Sequence, residues 1–223
     1  MKNLKIKIIT CLFFFAVLLA LTIKAEAQTE IGLRIMPTIS SFEMTSSDGN
    51  RVSGGATLGY GIGGLLGFNT SEHVGFQLEF IYNSLSQKYV DRTYERKVNL
   101  DYINFPLLLS LNTGKTKPVN LNFVIGPQFG LSVGSSVTTT GGDGSSNTEA
   151  VVVVKKGDFG FAYGAGLDFG ILKNIRLGVG FRGVFGLVDI SDRSQTAVTN
   201  SYFVLEGTHI KTYSGYIGLS FLF

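Results

Sequence analysis

Strict alternation of large apolar residues with small or polar ones is the feature that most restricts the fold of this chain. In residues 158–171 every second residue is apolar, and most of the residues between them are Gly or Asp. The same period of two recurs across residues 119–187 and again in residues 213–223. Successive side chains of a β-strand point to opposite faces, so the pattern predicts strands with one strongly apolar face. An opposite face this small and polar is typical of a strand with lipid outside and a narrow polar interior behind it.

A soluble ligand-binding barrel is the rival fold with the same strand content. Such barrels direct their apolar face inward, toward the ligand. In a barrel with the glycine-rich face inside, Phe161, Phe169, Phe181 and Phe185 would face water and form a large aggregation-prone patch. The alternation therefore favours a membrane barrel.

Eight segments follow this period, and each is long enough for a tilted membrane strand, which needs about 9–11 residues. They are residues 30–41, 56–68, 73–84, 98–112, 119–135, 158–171, 174–188 and 212–223. Their connections alternate between long polar segments and short turns, as in bacterial outer-membrane barrels. The long ones are 41–55, 85–97, 136–157 and 189–211, and the short ones are 69–72, 113–118 and 172–173. We predict an all-β, eight-stranded, antiparallel, up-and-down transmembrane β-barrel with both termini on the periplasmic side.

The N-terminal residues have the three parts of a secretory signal. Three lysines precede an apolar run over residues 8–23, and Ala25-Glu26-Ala27 forms a small-x-small cleavage site. We expect residues 1–27 to be a cleaved signal peptide and residues 28–223 to form one outer-membrane β-barrel domain. A retained membrane helix is the alternative. The single cysteine, Cys11, lies in the signal, so we expect the mature chain to have no disulfide and no cysteine nucleophile.

The net charge argues against nucleic-acid binding. The formal charge of the whole sequence is +3, and the signal contributes all of it through four lysines and one glutamate. The mature chain is therefore neutral and lacks the basic stripe that nucleic-acid binding requires. We expect no nucleic-acid partner.

Several charged side chains fall on the inward face of the predicted strands. These are Arg34, Glu79, Asp168, Arg176 and Arg182. Buried charges are tolerated when they are paired and hydrogen-bonded, so we predict an arginine–carboxylate network in the lumen, with Asp168 beside Arg176 across a short turn. An eight-stranded barrel is just wide enough to be filled by side chains. The expected result is a plugged barrel, in which the network fixes strand register, with ion conduction as the alternative role.

Motifs for catalysis or cofactor binding are weak. Gly59-Tyr60-Gly61-Ile62-Gly63-Gly64 fits the dinucleotide fingerprint, but it lies inside a predicted strand and no helix follows it. His73 and His209 are predicted at opposite ends of the barrel, about 25 Å apart, too far for a shared metal site. We predict no catalytic, cofactor-binding or metal-binding residue. A lipid-modifying enzyme that uses His209 with Ser201 is the alternative.

The predicted outer loops are the candidate contact surfaces. The second long loop is dense in mixed charges, with Lys88, Glu95 and Lys97 among them. Such charges are usually a solvated extension of two strands, and the functional alternative is contact with lipopolysaccharide phosphates or a partner protein. In the third loop, residues 151–154 are all valine and are expected to extend a strand above the membrane.

The last strand ends in an alternating aromatic and aliphatic run. Its members are Tyr213, Ile217, Leu219, Phe221 and Phe223. The run resembles the C-terminal signal that the barrel-assembly machinery reads during insertion. An apolar outward face without any signal is the alternative, and it carries equal weight.

Three internal segments resemble the outer-membrane β-barrel family of Bacteroidetes that is called PorT-like or porin-like. They are Tyr102-Ile103-Asn104-Phe105-Pro106-Leu107-Leu108, Val124-Ile125-Gly126-Pro127-Gln128-Phe129-Gly130, and the run from Asp158 to Gly166; residues 182–186 add a fourth, shorter match. The resemblance implies an eight-stranded barrel in the bacterial outer membrane, and it implies no catalytic residue or cofactor. We therefore expect a small closed barrel of structural or interaction type, whose outer loops contact lipopolysaccharide or an envelope protein. An accessory component of a secretion or assembly apparatus and a passive small-solute channel are the alternatives.

Overall fold

The structure is a computed structural model, and it describes residues 28–41, 43–46, 51–91, 94–141, 147–150, 155–190, 203–204 and 209–223. The described part of the chain contains twelve β-strands. They are β1 (Gln28–Ser41), β2 (Glu43–Ser46), β3 (Arg51–Ser53), β4 (Gly55–Asn69), β5 (Val74–Asp91), β6 (Tyr94–Asn112), β7 (Val119–Gly141), β8 (Asn147–Ala150), β9 (Gly157–Gly170), β10 (Ile175–Gly186), β11 (Phe203–Val204) and β12 (Lys211–Leu222). The predicted signal peptide and the Val151–Val154 run lie outside the described residues.

Eight of these strands form a closed antiparallel ring in the order β1-β4-β5-β6-β7-β9-β10-β12. Pairing of β1 with β12, from Glu30 opposite Leu222 to Ser41 opposite Lys211, closes the ring. Closure leaves no unpaired barrel edge in lipid, where an unsatisfied backbone group costs several kcal/mol. The predicted eight-stranded up-and-down barrel is confirmed. No helix in the described residues is long and apolar enough to cross a bilayer.

The two ends of the barrel differ in the length of their connections. Residues 70–73, 113–118 and 171–174 form short turns at one end, where Gln28 and Phe223 also lie. Long connections occupy the other end, and β2, β3 and β11 form a small separate sheet within them. Because outer-membrane barrels have short periplasmic turns and longer extracellular loops, we refer to the two ends as periplasmic and outer.

The predicted second long loop, residues 85–97, is mostly β-strand, which agrees with its interpretation as a solvated extension of two strands and contradicts the predicted strand ends at residues 84 and 98. Strands β5 and β6 stay paired from Leu85 opposite Leu100 to Asp91 opposite Tyr94. Strand β7 pairs with the same extension as far as Gly141. This part of the outer end is therefore a three-stranded wall, which we call the outer wall.

Between the outer wall and the periplasmic turns, the outward face of the ring is apolar in every barrel strand. Outward residues are even-numbered in β4 and β5 and odd-numbered in the other six barrel strands. Those most exposed include Leu33, Ile35, Leu58, Ile62, Phe80, Phe129, Ile217 and Phe223. Neighbouring rings on this face pack against one another, as Phe80 does against Phe105 with centroids 5.2 Å apart. An exposed apolar band around a closed sheet is suited to acyl chains and not to water.

Candidate functional site: a charged plug in the lumen

The middle of the lumen is crossed by an ion-pair cluster centred on Glu79. Arg182 donates from both terminal nitrogens to this carboxylate, Nη1 to Oε2 at 3.0 Å and Nη2 to Oε1 at 2.9 Å. Arg34 and Gln77 also donate to Oε1. Strand β5, which carries Glu79, is four positions from β10 in either direction around the ring, so the Glu79–Arg182 pair joins opposite walls. We call Arg34, Glu79, Arg182 and Gln77 the central cluster.

Tyr216 supports the central cluster from β12. The guanidinium carbon of Arg34 lies 4.5 Å from the centroid of the Tyr216 ring, which is cation–π geometry. The ring has room because Gly166 and Gly180 face it: a Cβ at Gly180 would lie 2.6 Å from the ring, and a Cβ at Gly166 would collide with the hydroxyl. Glycine at these inward positions therefore makes space for the aromatic support.

A second cluster closes the periplasmic end of the lumen. Lys115 lies in the turn between β6 and β7, yet its side chain enters the barrel and is almost completely buried. Its Nζ lies 2.8 Å from Glu30 Oε2 and 3.3 Å from Asp168 Oδ2. Asn120 and Asn122 donate to the same Asp168 oxygen at 3.0 and 2.8 Å. We call these five residues the periplasmic cluster.

The turn that carries Lys115 is hydrogen-bonded to the neighbouring turn, residues 70–73. The backbone nitrogen of Lys115 donates to the carbonyl of Glu72 at 3.0 Å, and the Thr116 hydroxyl donates to the Glu72 carboxylate at 2.9 Å. The Gly114 nitrogen donates to Asn120 Oδ1 at 3.1 Å. These bonds hold the turn over the periplasmic mouth, so the lysine is positioned by backbone as well as by charge.

The expected side-chain pair between Asp168 and Arg176 is wrong. Arg176 is buried, but its Nη2 donates to the backbone carbonyls of Asp168 and Lys117, each at 3.0 Å. Arg176 pairs with Gly170, two residues beyond Asp168, in the β9–β10 register, and Lys115 takes the carboxylate instead. Sequence reasoning missed Lys115 because a turn lysine is normally solvated. Glu30 could have been found, since its even number in β1 places it inward.

The remaining residues predicted to be possible sites are dispersed. Gly59 to Gly64 lie within β4, so no helix N-terminus follows them to hold a pyrophosphate. His73 is exposed in a periplasmic turn, and His209 is exposed at the outer end. The described residues contain no group of three or more His, Cys, Asp or Glu side chains that could hold a metal ion.

The C-terminal run lies at the seam that closes the barrel. The side chains of its five members are all exposed on the lipid-facing side of the barrel; they are Tyr213, Ile217, Leu219, Phe221 and Phe223. Phe223 also exchanges two backbone hydrogen bonds with Thr29, at 2.9 and 3.2 Å. The last residue thus contributes to closure through its backbone and to the lipid-facing band through its ring.

Comparison of the sequence with models of known protein families identifies the family of this chain. The family model described as outer membrane protein beta-barrel domain matches residues 24–192, well over half of the chain. The chain belongs to this family. As an outer membrane protein beta-barrel domain, it is an integral protein of the bacterial outer membrane.

Three solved structures are similar to this chain to different degrees. Outer membrane protein OprG from Pseudomonas aeruginosa is similar with a TM-score of 0.54 and 13% identity, covering 88% of this chain and 96% of OprG. Neisserial surface protein A has a TM-score of 0.42 and 12% identity, covering 86% of this chain and 97% of that protein. Ail of Yersinia pestis has a TM-score of 0.39 and 12% identity, covering 88% and 99%. No protein of curated function matches the sequence. At these identities the similarity concerns the fold alone.

Proposed function

We propose that this chain is a small closed barrel of structural and interaction type, which presents its outer wall to envelope partners and does not conduct solutes. The observation that carries the proposal is the pair of charged clusters that cross the lumen. The central cluster spans opposite walls, and the periplasmic cluster fills the mouth beneath it. Arg182, Glu79 and Lys115 are all at least nine-tenths buried. Moving an ion past these layers would require breaking buried, hydrogen-bonded ion pairs, which costs several kcal/mol.

Planar-bilayer recording tests the proposal directly against the passive-channel alternative. The wild-type protein is expected to give no stepwise conductance. A Lys115→Ala, Glu79→Ala, Arg182→Ala variant removes both clusters and is the positive comparison, while Phe129→Ala alters only the lipid face. Stepwise conductance of the wild type that persists in Phe129→Ala would contradict a closed barrel.

The outer wall is the surface that we propose for partners. On the extension of β5 and β6, Lys88, Glu95 and Lys97 are exposed, and Lys88 Nζ lies 2.7 Å from Glu95 Oε1. Mixed charges on paired strands suit lipopolysaccharide phosphates or a charged protein surface. Retention is compared on vesicles with lipopolysaccharide and on plain phospholipid vesicles, for wild type and for the Lys88→Glu, Lys97→Glu variant. This comparison distinguishes a lipopolysaccharide partner from a protein partner. Equal retention of both proteins on both vesicles would argue against the lipid partner.

The resemblance to the PorT-like proteins of Bacteroidetes supports a second, finer candidate, an accessory role in secretion or assembly. A closed barrel with a protruding strand wall is compatible with docking such an apparatus through β-strand contacts. Crosslinking from residue 88, followed by identification of the captured proteins, and secretion assays in a deletion strain test this role together. Normal secretion in the deletion strain would exclude it.

We propose no catalytic role. His209 is the described histidine at the outer rim, where a lipid-modifying enzyme would need its general base. Lipid profiles of strains carrying wild type and His209→Ala are expected to be the same. A change in the acylation pattern that follows His209 would overturn this proposal.

A further inference from the structure

An apolar groove interrupts the lipid-facing surface of the barrel over strands β6, β7, β9 and β10. Its volume is about 480 Å³, which falls within the roughly 300–1,000 Å³ of small-molecule sites. Outward side chains of all four strands line it, namely Leu111, Phe123, Ile125, Tyr163, Ala165 and Phe181. No charged side chain is among them, so the groove suits a hydrocarbon occupant.

The groove exists because a small residue stands between large rings. Ala165 pairs with Phe123 of β7 on one side and with Phe181 of β10 on the other. The next ring on β9, that of Tyr163, lies across β10, since a Cβ at Gly183 would collide with it. This position of the ring leaves the space over Ala165 open.

The groove lies between the periplasmic turns and the middle of the apolar band. Leu111 is the second-last residue of β6, and Phe123 is four residues beyond the start of β7 at Val119. At about 3.4 Å per residue and a tilt of about 40°, Phe123 lies roughly 10 Å above that strand end, in a band about 25 Å tall. Phe181, six residues beyond the start of β10, lies near the middle of the band. The periplasmic leaflet therefore supplies the acyl chains that reach this groove.

The periplasmic turns below the groove carry two exposed lysines. Lys117 lies in the β6–β7 turn, and Lys173 lies in the β9–β10 turn. The turns are two strand spacings apart, about 10 Å, a distance that two extended lysine side chains can bridge around a phosphate. A carboxylate also contacts the first turn, where Glu72 accepts the hydroxyl of Thr116 at 2.9 Å. Two cations against one hydrogen-bonded carboxylate favour an anionic headgroup.

We propose that the groove and these lysines bind a phospholipid of the periplasmic leaflet, which remains on the barrel while the surrounding lipids exchange. One acyl chain fills the space over Ala165, and the phosphate pairs with Lys117 and Lys173. A chain already in lipid gains no hydrophobic free energy by entering the groove. Its retention therefore comes from van der Waals contact with Phe123 and Phe181 and from the phosphate contacts. A second copy of the barrel is a poor occupant, because two concave surfaces do not fit across a two-fold axis.

Native mass spectrometry tests the site with the mature protein, reconstituted in vesicles of phospholipid and lipid A and then released into mild detergent. Wild type is expected to keep a phospholipid after the loosely held lipids are removed. Ala165→Phe fills the groove and is expected to abolish this retention. Lys117→Glu with Lys173→Glu reverses the charge below the groove and is expected to lower the retained fraction about tenfold. Leu219→Phe enlarges a lipid-facing side chain on β12 and is expected to retain the lipid as wild type does.

Photo-crosslinking of the wild type locates the retained lipid without a substitution. A phospholipid that carries a diazirine in its acyl chain, irradiated after release into detergent, is expected to label Phe123, Tyr163 or Phe181. Labels confined to strands other than β6, β7, β9 and β10 would overturn the proposal, as would equal retention by wild type and Ala165→Phe. Retention of lipid A instead of phospholipid, or a dimer that Ala165→Phe dissociates, would also overturn it. These readouts are independent of conductance, so they can fail while the barrel is still closed.

Discussion

Substitution of Glu79 by glutamine tests whether the central cluster stabilises the barrel as an ionic unit. Glutamine has nearly the same shape as glutamate but no charge, so Arg34 and Arg182 would be left buried without a counter-ion. In wild type this carboxylate accepts two bonds from Arg182 and one from each of Arg34 and Gln77. The Glu79 side chain is fully buried, so water cannot replace it.

The expected loss of folding free energy is large, because removing one partner of a buried ion pair costs about 3–5 kcal/mol. At about 1.4 kcal/mol per factor of ten, the folding equilibrium constant would fall by roughly one hundred- to several thousandfold. Glu95→Gln is the matched control. Its partner Lys88 lies at a similar distance, 2.7 Å, but both side chains are 47% exposed. Loss of such an exposed pair costs at most about 1 kcal/mol.

Reversible urea unfolding in lipid vesicles, followed by circular dichroism and by heat-modifiable migration on gels, measures both free energies. A third variant, Glu79→Leu with Arg34→Met and Arg182→Met, replaces the whole ionic layer with apolar side chains. We expect it to be more stable than Glu79→Gln, because it leaves no uncompensated charge. Equal stability of Glu79→Gln and Glu95→Gln would refute the reasoning, as would a triple variant less stable than the single one.

Two further predictions concern the seam and the aromatic support. Phe223→Ala removes the ring but keeps both backbone hydrogen bonds to Thr29. If Phe223→Ala reduces barrel assembly in cells more than Phe129→Ala does, the C-terminal run acts as an insertion signal. Equal reductions would favour an apolar lipid-facing surface without a signal. Gly180→Ala places a Cβ 2.6 Å from the Tyr216 ring, whereas a Cβ at Gly157 meets nothing within 4 Å. We expect Gly180→Ala to lower the free energy of unfolding by about 1–3 kcal/mol in urea titrations, and we expect Gly157→Ala to change it little; equal values would contradict the packing argument.

The period of two was sufficient to predict the barrel and the inward direction of Arg34, Glu79 and Arg182. It could not predict which charges meet, because contacts across the lumen depend on the stagger of strands far apart in sequence. Glu79 and Arg182 are 103 residues apart and lie on opposite walls. Asp168 and Arg176 are only eight residues apart, yet the register places them diagonally, and a lysine from a turn takes the carboxylate. Proximity in sequence was therefore a poor guide to pairing inside the barrel.

The predicted strand ends at residues 84 and 98 fall short of the observed strands for a different physical reason. Above the membrane the period of two continues, but its polarity is reversed. Lys88 and Lys97 now occupy outward positions, while the inward Leu85, Val98 and Leu100 are buried. Where a strand passes from lipid into water, its outward residues change from apolar to polar, and its inward residues change from polar to apolar. The position of this change in β5 and β6 marks the extracellular surface of the membrane. Beyond it, the same two strands continue with a polar outward face in water.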